Sequence, residues 1–331
     1  MPDNGLPGQK QHHPYDKGYR QLLANKRTFL ELFKSFVREE WVNEINEHDL
    51  LLVDKSYILP DFSEKEADLV YRLKSKEIIF YVLLELQSTV DYLMPFRLLL
   101  YMVEIWRDIF HNTPEKERER KDFRLPAIIP AVLYNGADNW TTGLNFKEIQ
   151  ANYQRYEKHL LNFNYLLFDV NRYREEELYQ TANLIASIFM LDQKIRYPEL
   201  VNRLRRLIKV LQKLTPEEFS QLKTWLKNVM KPKMPAHLQK EMDRILDEAN
   251  PWEVEKMVTN LEVTLEEMQR EAETRGKKKG KLEGKKEGKK EGKKEVAKNL
   301  LLLNMDIDNI AKATGLTKEE LEKLQKQLQV H

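Results

Sequence analysis

Asp68, Glu85 and Gln87 are polar residues set into two strongly apolar, strand-like runs, residues 67–73 and 78–87. In Ile78-Ile79-Phe80-Tyr81-Val82-Leu83-Leu84 both alternating faces are apolar, the pattern of a central strand covered on each side. An ionised Glu85 at the end of such a strand is costly unless it is paired. A divalent cation shared with Asp68 would supply that pairing through hard oxygen ligands. The alternative is a hydrogen-bonded polar patch without metal.

Hairpin geometry sharpens the point. A two-residue loop at Ser75-Lys76 sets Asp68 opposite Leu83 and diagonal to Glu85 on the same face. Gln87, two residues past Glu85, shares that face. Diagonal backbone neighbours lie roughly 7–8 Å apart, a gap that two inward-reaching carboxylates can close around one cation.

The elements that must position these residues follow from periodicity. Residues 19–40 read as an amphipathic helix that opens near Pro14 and Asp16. Strand-like stretches follow at 50–59, 67–73 and 78–87, then a long apolar helix at 94–110. Two further strands, 125–134 and 163–170, flank a loop with Asn135-Gly136 and a helix around 146–159. This order implies an α/β fold, a mixed sheet flanked by helices, over residues 12–174. A C-terminal helical extension occupies 175–250, with helices at 176–194, 198–214, 216–230 and 235–249, most opened by prolines. In 251–275 the spacing of Val254, Val258, Leu261, Leu265, Met268 and Ala272 suggests a coiled-coil seam, through which residues 252–275 would join copies into a homo-oligomer.

Residues 276–295 carry glycine at every fourth position from Gly276 to Gly292, with Gly-Lys-Lys-Glu repeated three times from Gly284. Five helix-interior glycines cost on the order of 4–5 kcal/mol against alanine, so the expectation is a frayed linker. The last stretch, 296–331, reads as three short helical pieces. The final helix bears two acids in its first turn, where a phosphate would sit, which favours an interaction module over a helix-turn-helix.

Composition excludes several classes. With no cysteine there are no disulfides and no thiolate zinc sites, which leaves oxygen- or histidine-ligated metals and suits a reducing cytoplasm. Residues 1–9 have no signal-peptide pattern, and the longest apolar run falls far short of the roughly 18 residues of a membrane span. The expectation is a soluble, cytoplasmic protein. Its net charge of +2 divides into +6 over 276–295, from ten lysines and four glutamates, and −4 elsewhere. A cationic appendage on a slightly acidic body points to a polyanionic partner.

An acid on one strand followed by acid-X-(Lys or Gln) on the next is the arrangement of the PD-(D/E)XK nuclease superfamily. The flanking sequence resembles the Rpn family of recombination-promoting nucleases over roughly residues 12–250. The matching stretches are Tyr15-Asp16-Lys17-Gly18-Tyr19-Arg20-Gln21-Leu22-Leu23, Ala67-Asp68-Leu69-Val70-Tyr71, Leu84-Glu85-Leu86-Gln87-Ser88, Met94-Pro95-Phe96-Arg97-Leu98-Leu99-Leu100-Tyr101-Met102 and 126–136. The glycine repeat and final helical piece also resemble tails found in this group. The resemblance implies a restriction-endonuclease-like sheet and a Mg²⁺-dependent endonuclease acting on double-stranded DNA, with Mn²⁺ as substitute. It implies Asp68 and Glu85 as metal ligands, and Gln87 in the place usually held by lysine. A lysine would bring positive charge to an attacking hydroxide, whereas Gln87 can only orient water or phosphate by hydrogen bonds.

Further candidates surround this core. Asp16 matches the family's acid at the first helix and would bind metal directly or through water; its alternative is a helix N-cap. His12 and His13 are ligand types, though exposed terminal histidines are commonly incidental. Arg97, Tyr101, Glu104 and Asp108 share one helix stripe, from which Arg97 would reach a phosphate or brace Glu85; the alternative is a charge network within the helix. Asp169 ends a strand, lining the same edge or forming a turn. Arg203, Arg205, Arg206, Lys209 and Lys213 make a basic helix face, read as solvated rather than as a DNA track. Lys285, Lys286, Lys289 and Lys290 of the repeat are better placed to meet phosphates.

Overall fold

The computed structural model describes residues 14–53, 69–75 and 78–329. His12, His13 and Asp68 lie outside the described residues, as does the side chain of Asp16. The described strands are β1 (Leu50–Leu52), β2 (Leu69–Ser75), β3 (Ile78–Gln87), β4 (Ala127–Tyr134) and β5 (Leu166–Asp169). They form a mixed sheet in the order β1-β2-β3-β4-β5. β1, β2 and β3 are antiparallel neighbours, while β3, β4 and β5 run parallel.

The hairpin register differs from the expectation. Ser75 faces Ile78, Val70 faces Leu83 and Leu69 faces Leu84, so the connection is Lys76-Glu77 and the pairing is displaced by two residues. The shift is even, so the alternation of faces is preserved. The local sequence Lys74-Ser75-Lys76-Glu77 holds no glycine, proline or asparagine to mark where the turn must fall.

The helices are α1 (Pro14–Leu23), α2 (Lys26–Phe36), α3 (Glu40–Glu44), α4 (Met94–Asn112), α5 (Glu115–Arg118), α6 (Tyr153–Tyr156), α7 (Glu175–Thr181) and α8 (Leu184–Asp192). Then come α9 (Tyr197–Leu211), α10 (Pro216–Trp225), α11 (Ala236–Glu248), α12 (Val254–Leu302), α13 (Ile307–Thr314) and α14 (Lys318–Gln329). The first expected helix is split because Asn25 caps α2, its side chain accepting from the Thr28 amide. Likewise α7 and α8 are separate, since Ala182 takes a left-handed conformation (φ 52°) and Asn183 caps α8. The helix expected around 146–159 is a chain of short turns interrupted by Asn152 at φ 57°. Among the described residues, no helix is long and apolar enough to cross a membrane.

Two layers of helix cover the sheet. On one face Val70, Val132 and Tyr134 pack with Met94, Leu98, Tyr101, Met102 and Ile105 of α4. On the other, Tyr71 stacks on Phe29 and Phe168 meets Phe33 edge-on, which seats α2. The Tyr71 hydroxyl donates to the carbonyls of Leu23 and Ala24, fixing the end of α1. All nine residues of α8 are buried, as an apolar helix inside the fold requires.

The chain divides into two compact units, Met1–Leu265 and Glu266–His331. In the first, Val254, Val258, Leu261 and Leu265 are buried within the single chain. These four of the six stripe residues are covered within one chain, while Ala272 is exposed, and both Glu262 carboxylate oxygens accept from Arg205 on α9. In the second, Ala297, Leu301, Ile310, Leu316, Leu321 and Leu324 form a small core that joins the end of α12 to α13 and α14. Thr317 and Glu320 form the expected cap of α14. The glycine repeat is not frayed: α12 runs through it unbroken. Helix nucleation is the costly step, and a repeat entered from flanking helical turns needs only propagation.

Candidate active site

Glu85 and Gln87 sit at the C-terminal end of β3, where the parallel strands β3, β4 and β5 end together. Glu85 pairs with Val132, Gln87 with Tyr134, and Tyr134 in turn with Asp169. Paired and alternate residues share a face, so Glu85, Gln87, Tyr134 and Asp169 all lie on the side covered by α4. Outside the C-terminal ends of parallel strands is where α/β sheets offer a crevice to ligands.

Glu85 is fully buried, at 0 % exposure. Its Oε2 accepts from Gln87 Nε2 at 3.1 Å and from Arg97 Nη2 at 3.3 Å. Arg97 comes from the first turns of α4. Its Nη1 donates to Asp91 Oδ2 at 2.7 Å, and Nη2 also donates to the Tyr101 hydroxyl at 3.2 Å. Burial works against the charge on this guanidinium, but Glu85, Tyr101 and the Asp91 hydrogen bond outweigh it and raise its pKa above the ordinary arginine value. Asp91 is itself fixed: its Oδ1 accepts from the Leu93 amide and its carbonyl from Thr142 Oγ1, both at 2.9 Å.

The rest of the expected stripe on α4 does other work, with Glu104 paired to Arg107 and Asp108 bonded to Asn112. Asp169, on the same strand row as Gln87, has its carboxyl pKa raised by burial, partly offset by Arg172 at 3.8 Å. It stands at the edge, and its carboxylate also accepts from the backbone N–H of Asn171, the contact of a turn former, so the position answers to both of its sequence readings.

Asp16 lies in the first turn of α1 and not at its N-cap. α1 packs against β3. It approaches closely at Gly18, where a Cβ would stand 2.5 Å from Val229 Cγ2 in the π-helical turn Leu226–Met230. The Tyr19 hydroxyl donates to Asp192 Oδ2 at 3.0 Å, and Asn135 Nδ2 donates to the same oxygen at 3.0 Å. Asn135 also donates its backbone N–H to the Gln87 carbonyl at 3.0 Å. Helix α1 is thereby tied to the end of β3.

The donors gathered at this edge are carboxylate and amide oxygens, which suit a hard divalent cation rather than a soft one. Glu85 supplies the decisive observation on fit: a fully buried acid whose charge is met by a cation, here the guanidinium of Arg97.

Residues 13–223 match the family described as "Putative transposase, YhgA-like". The chain belongs to this family. The YhgA-like transposases fall in the Rpn/PD-(D/E)XK nuclease-like group, in keeping with the mixed α/β sheet and flanking helices. The match takes in all five strands and the helices through most of α10, and leaves α11 to α14 outside it. No curated protein and no solved structure matches this chain.

Two YhgA-like site supports went unread in the sequence. Asn135 passed as a turn residue, and Asp192 was passed over inside its helix. Asp192 carried the same signal as Glu85, a lone acid closing an apolar run, here Leu184-Ile185-Ala186-Ser187-Ile188-Phe189-Met190-Leu191. The arginines of the basic face over 203–213 are engaged within the chain, Arg203 and Arg206 on Glu175, Arg206 also on Glu176, and Arg205 on Glu262, while Lys209 and Lys213 are exposed. The Lys-rich stretch of α12, residues 276–295, is exposed apart from the half-buried Lys294.

Proposed function

We propose that this YhgA-like protein is a Mg²⁺-dependent DNA endonuclease that hydrolyses phosphodiester bonds during recombination or mobile-element processing, with Mn²⁺ able to substitute. The observation that carries the reading is the buried Glu85 beside Gln87 at the C-terminal end of β3, in a position that demands positive charge. Asp68 immediately precedes Leu69, which pairs with Leu84 next to Glu85. Asp68 and Glu85 would hold the ion, and Asp16 would assist from α1. When bound, the ion supplies a water of lowered pKa and positive charge beside the scissile phosphate. Gln87 contributes hydrogen bonds and no charge, so it orients water or phosphate without stabilising hydroxide. Lys285, Lys286, Lys289 and Lys290 on the exposed part of α12 would engage duplex phosphates, which makes binding steeply salt-dependent.

The test is plasmid cleavage with Mg²⁺ or Mn²⁺. Wild type should nick and linearise DNA, and Asp68→Ala and Glu85→Ala should fall to background. Equal background from all three removes the nuclease reading. A second reading, a DNA-binding or assembly factor that keeps the fold without catalysis, draws on the self-satisfied set in which Gln87 and Arg97 both spend donors on Glu85. Salt-sensitive DNA binding with no divalent-ion binding would favour it.

A further inference from the structure

Arg97 holds Glu85 and Asp91 unequally. Its contact to Asp91 is 2.7 Å, within the range of a strong charge-assisted hydrogen bond, whereas that to Glu85 is 3.3 Å. The firm partner is also the immobile one. Asp91 is fixed just before α4 by the Leu93 amide and is held from the loop by Thr142. Meanwhile the guanidinium is mostly buried, and its Nε has no hydrogen-bond partner among the described residues. Arg97 is therefore an anchored cation with a weak hold on the carboxylate that most needs charge.

We propose that Arg97 is the resident counter-ion of the metal-free site. It neutralises Glu85 until a divalent cation arrives, then stays on Asp91 and gives up Glu85. Cation and guanidinium compete for one carboxylate, because Glu85 Oε2 cannot sit against both charges without bringing them into repulsion. Once Glu85 is released, Nη2 and Nε are the donors left for an anionic oxygen such as that of a phosphodiester. Gln87 keeps its place, because its backbone carbonyl is bonded to Asn135. The inference rests on Glu85 being a metal ligand. It assigns Arg97 a role opposite to that of a simple brace, since a brace would strengthen metal binding and a competitor weakens it.

The experiment is Mn²⁺ binding to the full chain without DNA, followed by electron paramagnetic resonance. Arg97→Gln should bind Mn²⁺ on the order of tenfold tighter than wild type, because a positive charge near the ion has been removed. Glu85→Gln should lose the site. If Arg97→Gln keeps the wild-type near-ultraviolet circular dichroism yet binds Mn²⁺ no more tightly, the counter-ion role is overturned while the metal reading stands. If wild type and Arg97→Gln show no Glu85-dependent Mn²⁺ at all, the metal reading itself fails. Should Arg97→Gln not fold, side-chain ¹⁵N resonances of the wild-type arginines decide the matter. Saturating Mg²⁺ should shift the guanidinium signal that is missing from Arg97→Lys, and an unmoved signal refutes the exchange.

Discussion

Replacing Gly18 by alanine tests whether the seat of α1, and with it Asp16, depends on close contact with the π-helical turn. A Cβ at residue 18 would lie 2.5 Å from Val229 Cγ2 and 3.7 Å from Trp225 Cδ1, and both neighbours are fully buried. Carbon atoms pack best at about 3.5–4.0 Å, so the new methyl overlaps Val229 by about 1 Å. Overpacking of this kind costs roughly 1–3 kcal/mol. Alanine returns about 1 kcal/mol through its better helix propensity, which leaves a net loss of up to about 2 kcal/mol. Val229→Ala removes two buried methyl groups at about 0.8 kcal/mol each, with a cavity term in addition. In the double variant the new methyl enters the vacated space. The combined loss should then fall short of the sum of the single losses by about 1–3 kcal/mol. Helix propensity enters both variants that carry Gly18→Ala, so it cancels from this coupling and isolates the clash. Urea unfolding followed by tryptophan fluorescence is the assay, because all five tryptophans lie in the first unit. Additivity within about 0.5 kcal/mol would refute the steric account.

Two further predictions concern charge and the repeat. Glu31 shares Arg27 with Glu218, and its carboxyl pKa is pushed up to about 7 by burial, then by Glu218, against the pull of Arg27. The folded state therefore holds this proton more tightly than the unfolded chain, and stability falls as pH rises from the ordinary carboxylate range through about 7. Glu31→Gln should flatten melting temperature against pH across about pH 5–8 and exceed wild type at the alkaline end; an unchanged slope counts against the shared-arginine account. At Gly276, Gly280, Gly284, Gly288 and Gly292 an added Cβ meets nothing within 4 Å. Replacing all five by alanine should slow amide hydrogen exchange across 276–295, by up to about 1 kcal/mol of helix stability per site. Unchanged exchange would mean that glycine does not limit the helix.

The juxtaposition of Glu85 and Gln87 at the strand end was legible because it violated its surroundings: both interrupt an apolar run, and alternation alone puts them on one face. Arg97 was legible for a related reason, since its four-residue spacing from Tyr101 set both on one side of α4, where they now bond. The register was not, because nothing between Lys74 and Ile78 fixes which two residues turn. Nor was the unbroken α12, whose repeat has poor propensity in isolation but is continuous with ordered turns at both ends. Asp192 escaped notice because Tyr19 and Asn135, which donate to it, are distant in sequence, and only the folded sheet brings them together.

Asn135 explains why the proposed exchange should move Arg97 rather than the Glu85–Gln87 segment. Its amide N–H binds the Gln87 carbonyl, its side chain binds Asp192, and its own carbonyl accepts from Asn171 Nδ2 at 3.0 Å. One residue thus locks the end of β3 to α8 and to the turn after β5, while Tyr19 links α1 to the same aspartate. The Glu85–Gln87 segment is held through its backbone on one side and by β4 through the sheet ladder on the other, so it has little freedom to retreat from an incoming charge. Arg97 differs, because its guanidinium can pivot about the Nη1 bond to Asp91 and swing Nη2 away from Glu85 while that bond stays in place. A rigid acid opposed by a tethered cation that can pivot is an arrangement that can hold a buried charge before a metal arrives and yield it afterwards.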